Sequence, residues 1–325
     1  MLDRSPRKKS KKSFRKRLNA ARNGILGPIG EWLLRHAERR AGRQSWSAAQ
    51  NTGARLGRLA FKLARRDRNR AIGNLQRAFT SADTDPSLMA LRSFEHLGMA
   101  LFEILHIKHN GPHELQHHFT AEGYDTLRHI LQQHRSAIWV SGHLGNWELG
   151  AAHAATAGFQ IFPVVRDNPN NRIGRFIIEM RQRFGIQSLL RDETDIRQQI
   201  KQRIDEGTIL GILIDQDTRL VRSVFVDFFG QPAATISGAA AMAISHKLPL
   251  VVGTARREAD GCHCVTVQGP VPVPDTGDRA YDIVLLTQEL NRRLEVEIRK
   301  APEQWVWFHD RWKRKPRYRG QVEVL

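Results

Sequence analysis

A histidine and a glutamate, His143 and Glu148, stand on the stretch Ser141-Gly142-His143-Leu144-Gly145-Asn146-Trp147-Glu148. An imidazole held by an ionised carboxylate is a general base, because the acid fixes the tautomer and stabilises the imidazolium that forms. On a regular helix of about 3.6 residues per turn this spacing would rotate the two side chains well apart. The pair therefore meets only if the chain bends between them. An apolar run, Ala137 to Val140, precedes the stretch, and the helix-like Leu149-Gly150-Ala151-Ala152-His153-Ala154 follows it. Strand, glycine turn and helix start is where an open α/β fold presents its working groups. Asn146 reads as the N-cap, which puts Glu148 in the first helical turn, where the dipole favours an ionised carboxylate. The same spacing also arises by chance, and a loop histidine often caps backbone groups, so the motif needs its structural context.

Other groups are candidates by type and place. Arg166 follows a second apolar run, and Arg181 lies on the next helical stretch with Arg172, Arg175 and Arg183. Such arginines form a basic surface, bind phosphates bidentately or stabilise an oxyanion. Asp215-Gln216-Asp217 closes a further apolar run. An Asp-x-Asp either orders its loop against arginines or holds a divalent cation, as in a metal-dependent glycosyltransferase. Ser141 is not in a Gly-x-Ser-x-Gly elbow, and there is no phosphate-binding P-loop or His-Glu-x-x-His zinc pair. Without an activated Ser or Cys, direct transfer to an acceptor is more economical than a covalent intermediate.

The elements that must position these groups alternate. Strand-like runs are 137–141, 160–165, 208–214, 249–254 and 262–267, and helical stretches between them are 147–156, 173–184, 193–205 and 237–246. Near-continuous apolar strands alternating with helices predict an α/β fold with a mainly parallel central sheet flanked by helices. Helices are also expected over 87–107, 124–134 and 278–300. Glu103 reads as an exposed helix acid, with a site role as the alternative. Gly230 to Thr235 reads as a turn opening the alanine-rich helix, and Trp305 to Trp312 as a packed closing strand. His309, in that tail, is a weaker catalytic candidate.

The net charge of +18 is an N-terminal property: residues 1–77 hold 22 Lys/Arg against four acids, and the remainder is formally neutral. We expect a basic disordered arm over 1–22, a basic amphipathic, membrane-associating helical region over 23–80, and an α/β domain over 81–325. Phe14 is the only aromatic residue of the arm, which speaks against stacking on single-stranded nucleic acid. No stretch reaches the roughly 18–20 apolar residues that span a bilayer. Cys262 and Cys264 are too close for an unstrained bridge and, with His263, lack further ligands at metal spacing, so they read as free thiols.

His143 and Glu148 fit the His-x4-Asp/Glu signature of the lysophospholipid acyltransferase superfamily. The longer pattern resembles its lipid A biosynthesis late acyltransferases, of the lauroyl/myristoyl type. The matching stretches are Arg70 to Leu75, His96-Leu97-Gly98 with Glu103, Ser141 to Glu148, Val165 to Pro169, Asp215-Gln216-Asp217, Val224 to Gly230 and Pro302 to His309. The resemblance implies a glycerolipid acyltransferase-like fold and an O-acyltransferase that needs no cofactor or metal. It implies acyl-acyl carrier protein as donor and a lipid A precursor as the anionic glycolipid acceptor, on the cytoplasmic face of a Gram-negative inner membrane. A phosphoinositide mannoside is an alternative acceptor. His143 and Glu148 are then catalytic, and Gly145, Asn146, Arg166, Arg181, Asp215, Gln216 and Asp217 line the substrate site, with Arg181 favoured for the oxyanion. The family usually carries an N-terminal transmembrane anchor, and this sequence departs from it there.

Overall fold

The computed structural model describes residues 32–80, 85–166 and 172–316. The expected arm over 1–22, and Asp167-Asn168-Pro169 of the Val165 turn, lie outside the described residues. A seven-stranded sheet forms the centre, in the order β1-β9-β8-β2-β5-β3-β4. Its strands are β1 (Phe119–Glu122), β2 (Ala137–Ser141), β3 (Ile161–Val165), β4 (Leu189–Leu190), β5 (Ile209–Leu213), β8 (Leu250–Arg257) and β9 (His263–Gln268). All neighbours run parallel except β8 and β9. This is the α/β architecture that the alternating apolar runs predict.

The helices are α1 (described over 32–42), α2 (Trp46–Leu63), α3 (Arg65–Ala78), α4 (Pro86–Asn110), α5 (Leu115–His118), α6 (Tyr124–His134), α7 (Trp147–Thr156), α8 (Arg172–Arg183), α9 (Ile196–Asp205), α10 (Gly238–His246) and α11 (Arg279–Lys300). Every residue of β2 is buried. Side chains alternate across a strand, so Ala137 and Trp139 pack with Leu127 of α6 and Leu149 of α7. Ile138 and Val140 pack on the other face with Ala240 of α10 and Leu290 of α11. A strand covered on both faces must be apolar throughout, which is why the run lacks an alternating pattern.

Two expectations fail. Gln231–Ile236 is not a helix start but strand β7, paired antiparallel with β6 (Ser223–Phe228) in a separate two-stranded sheet. The Trp305 tail is irregular turn after a short 3-10 helix, Pro302–Gln304, rather than a strand. It does pack: Trp305, Trp307 and Trp312 are buried in one cluster with Phe228, Phe94 of α4 and Leu75 of α3. The basic N-terminal helices thus lean on the α/β body. Gly53 of α2 and Gly98 of α4 lie back to back, and a Cβ built on Gly98 would stand 2.1 Å from the carbonyl oxygen of Gly53. Only a residue without a side chain permits that crossing.

Candidate active site

The site is built where β2 and β5 end side by side. Their parallel register pairs Ser141 with Leu213. Two residues further along each chain stand His143 and Asp215, and they meet. His143 donates its backbone N–H to Asp215 Oδ2 at 2.6 Å, and its Nδ1 lies 2.7 Å from Oδ1. A carboxylate only accepts, so Nδ1 carries the proton. Nε2 is 3.1 Å from Gln216 Nε2, an amide donor, so it presents its lone pair. This is the tautomer a general base requires.

Asp215 is fully buried. Burial opposes its charge, but His143 and the hydrogen bonds from His143 and Trp305 prevail and hold the carboxyl down to about 2. The Trp305 indole donates to Oδ2 at 2.8 Å. An ionised carboxylate fixed from three sides cannot rotate away from the imidazole. The Trp147 ring meets His143 edge-on at 4.9 Å.

The carboxylate that orients His143 is therefore Asp215, and the expected His143–Glu148 pairing is corrected. Glu148 sits in the first turn of α7 as predicted, but its carboxylate takes a two-pronged grip from Arg181: Nε to Oε2 at 2.9 Å and Nη2 to Oε1 at 2.7 Å. The Trp147 indole adds a third bond to Oε1 at 3.2 Å. Both charged side chains are nine-tenths buried. Arg181 gives Nη1 to Ser188 Oγ at 2.9 Å, so its donors clamp α7 to α8 and the chain before β4. Planar bidentate pairing suits such a clamp.

The turn itself is held from behind. Gly145 has φ +63°, and a Cβ there would stand 1.7 Å from the Ala255 carbonyl oxygen. Asn146 is the N-cap as expected, accepting from the Leu149 N–H at 3.3 Å. Its amide donates to Glu103 Oε2 at 2.8 Å. Glu103, expected on an exposed helix face, is completely buried. It also accepts from Gln50 and Arg257 at 2.8 Å each, and from His263 at 3.1 Å. Burial alone would raise its pKa, but His263 and Arg257 hold it well below the usual carboxylate range. His96 beside it is pushed down to about 3 by burial and by Arg257. As a neutral ring it accepts from Arg257 at 2.6 Å and donates to the Gly145 carbonyl at 3.2 Å.

The remaining candidates separate. Gln216 joins His143 at the cavity. Asp217 turns away: Arg314 donates its Nε and, at 2.9 Å, its backbone N–H to that carboxylate. Asp215 and Asp217 are thus held by different partners and do not converge as a cation site. His309 accepts from the Asp217 N–H at 3.0 Å, fastening the loop rather than joining the dyad. Arg166 is exposed at the rim, paired with Asp192 at 3.0 Å.

A cavity of about 590 Å³ opens in front of His143, lined also by Asn146, Arg166, Arg181 and Gln216, with Leu97, Leu101 and Leu220 at its border. A narrower apolar slot of about 80 Å³, sharing Trp147, Glu148 and Arg181 with this cavity, runs between α7 and the sheet. Small residues on neighbouring strands, Gly211, Gly253 and Ala255, make room for it, and Trp139 borders it. The Trp139 indole covers Gly253 so closely that a Cβ there would stand 2.3 Å from the ring.

Comparison with known proteins adds a lineage to this geometry. A family model described as bacterial lipid A biosynthesis acyltransferase matches residues 30–314. The lipid A biosynthesis lauroyltransferase of Escherichia coli (strain K12) is 28% identical over 266 residues, covering 81% of this chain and 85% of that protein. The palmitoleoyltransferase of lipid A biosynthesis from the same strain is 26% identical over 271 residues, covering 81% and 84%. The myristoyltransferase is 23% identical over 262 residues, covering 78% of each.

Proposed function

Because the chain belongs to the bacterial lipid A biosynthesis acyltransferases, we propose that it moves a fatty acyl chain from an acyl-acyl carrier protein thioester to a hydroxyl of a lipid A precursor. The observation that carries this reading is the His143–Asp215 dyad at the cavity, whose Nε2 lone pair accepts from the Gln216 amide and exchanges that donor for the acceptor hydroxyl. His143 takes the proton of the acceptor hydroxyl as its oxygen attacks the thioester carbonyl, and Asp215 stabilises the imidazolium. The tetrahedral intermediate collapses, the carbon–sulfur bond breaks, and the imidazolium returns its proton to the leaving thiolate. Gln216, whose amide leaves Nε2 when the hydroxyl arrives, is then a side-chain donor for the developing oxyanion. Arg181, spent on Glu148 and Ser188, holds the cavity wall instead.

The acyl chain lies in the larger cavity with its end in the slot beneath α7, and the acceptor approaches over Arg166. Leu97, Leu101 and Leu220 are exposed at the border, as are Leu56, Leu59 and Leu63 on α2. Set among the arginines of α2 and α3, they suit a rim that rests on an anionic bilayer, on the cytoplasmic face of the inner membrane. No helix among the described residues is long and apolar enough to cross a membrane. Transfer of acyl chains from carrier-protein thioester to a tetraacylated precursor in mixed micelles tests the reading, and absence of any ester product would sink it.

In this reading Trp139 closes the slot and limits chain length. Trp139→Leu is expected to shift donor preference toward longer chains, by about fourfold in kcat/KM per added methylene that the slot accepts. Competition between saturated donors of graded length measures it, and an unchanged order would remove Trp139 from chain selection.

A further inference from the structure

On the far side of α4, three groups that play no part in acyl transfer converge: His106 on α4, Glu114 at the end of the 3-10 turn Pro112–Glu114, and His118 on α5. One donor atom from each lies within 4.8 Å of the others. His106 Nε2 is 3.4 Å from Glu114 Oε1, and His118 Nε2 is 3.1 Å from the same oxygen. Around a tetrahedral zinc ion with bonds of roughly 2.0–2.1 Å, ligand atoms stand about 3.3 Å apart. The two contacts of Glu114 straddle that separation, and the two ring nitrogens lie within 4.8 Å of each other.

The rings are held as ligands need to be held. His106 Nδ1 lies 3.0 Å from the buried Ala41 carbonyl oxygen, which only accepts, so Nδ1 carries the proton. In the neutral ring, Nε2 is then a lone pair aimed at a carboxylate oxygen. That lone pair accepts from the Asn110 amide at 3.2 Å, and an ion held there would take the place of that donor. A backbone carbonyl on the remote nitrogen is also the usual outer support of a metal-bound histidine. The His118 ring lies flat against Trp46, 4.1 Å away at an interplanar angle of 5°, and the Trp46 indole is anchored by its N–H to the Gly261 carbonyl at 2.9 Å. The Asn110 amide, 3.2 Å from His106 Nε2, stands beside the cluster, and the Glu114 side chain is 26% exposed. A fourth ligand can come from that amide, turned to present its oxygen, or from water.

We propose that His106, Glu114 and His118 bind one divalent transition-metal ion of the zinc type. Two imidazoles and one carboxylate are the donors such an ion prefers over calcium or magnesium. The ion clips the end of α4 to the connection that leads into β1, and its role is structural. The proposal stands independently of the acyl-transfer reading.

The test is metal titration of the full-length protein after chelator treatment. Zn²⁺ binding is followed by calorimetry, and Co²⁺ is added as a spectroscopic probe. We expect one equivalent bound with tetrahedral Co²⁺ absorption and no thiolate charge-transfer band. Glu114→Gln and His118→Gln, checked for native circular dichroism, should each weaken that equivalent by at least about tenfold. Glu114→Gln changes only the more exposed ligand, so it keeps the test decisive should His118→Gln fail to fold. The proposal is overturned if the wild type binds no equivalent. It is overturned equally if Glu114→Gln binds as tightly as wild type, or if a thiolate band places the ion on Cys262 or Cys264.

Discussion

Asp215→Asn is expected to lower kcat for acyl transfer by about 10³–10⁴-fold with little change in KM, the scale seen when a base-orienting carboxylate loses its charge. The side chain is isosteric, but an amide cannot accept on both arms. One arm of Asp215 now accepts from His143 Nδ1, and the other from the His143 backbone and Trp305 Nε1. With an NH2 group on either arm a donor faces a donor, and the imidazole tautomer that exposes a lone pair to the cavity is no longer favoured. The same variant carries a pH signature. Asp215 titrates at about 2 in the folded protein against an ordinary 3.8, so its pairing stabilises the fold above pH 4 and that stability is lost as pH falls toward 2. Integrated over that shift, the contribution is about 2 kcal/mol. Urea midpoints between pH 4 and 2 should fall in the wild type and fall less in the variant. A variant with wild-type kcat would show that Asp215 is a packing residue only.

The second large effect falls on stability. Glu148→Gln strips the charge from a buried pair and removes the carboxylate that grips the Arg181 guanidinium on two nitrogens, which costs about 3 kcal/mol or more. Removing both charges, as in Glu148→Gln with Arg181→Met, should recover part of that loss, because the buried guanidinium goes together with the carboxylate it faced. Denaturant midpoints of the two single variants and the double variant decide it. If the losses simply add, the pair is not a coupled clamp.

The sheet was legible in the sequence because each central strand is covered on both faces and so appears as an unbroken apolar run. The Ala137–Ser141 strand and the Trp147–Thr156 helix match their expected bounds. The β6–β7 hairpin was not, because Ala233 and Ala234 are good helix formers forced into a strand by pairing with Val226 and Phe225. The candidates His143, Glu148, Arg181 and Asp215 stand together in the structure, but in pairs other than the spacing suggested. Local spacing suggested His143 with Glu148, whereas the register of two parallel strands 72 residues apart joins His143 to Asp215. A signal was present: both residues stand just beyond the ends of apolar runs. Nothing local marked Glu103, a single acid whose partners Gln50, Asn146, Arg257 and His263 lie on four other segments.

The most direct measurement of the central claim is single-turnover acyl transfer by wild type and His143→Gln, from carrier-protein thioester to a tetraacylated lipid A precursor in mixed micelles. The account predicts ester formation by the wild type and a rate about 10³-fold lower or less in a variant with an unchanged unfolding midpoint. Equal rates from the two proteins would contradict it.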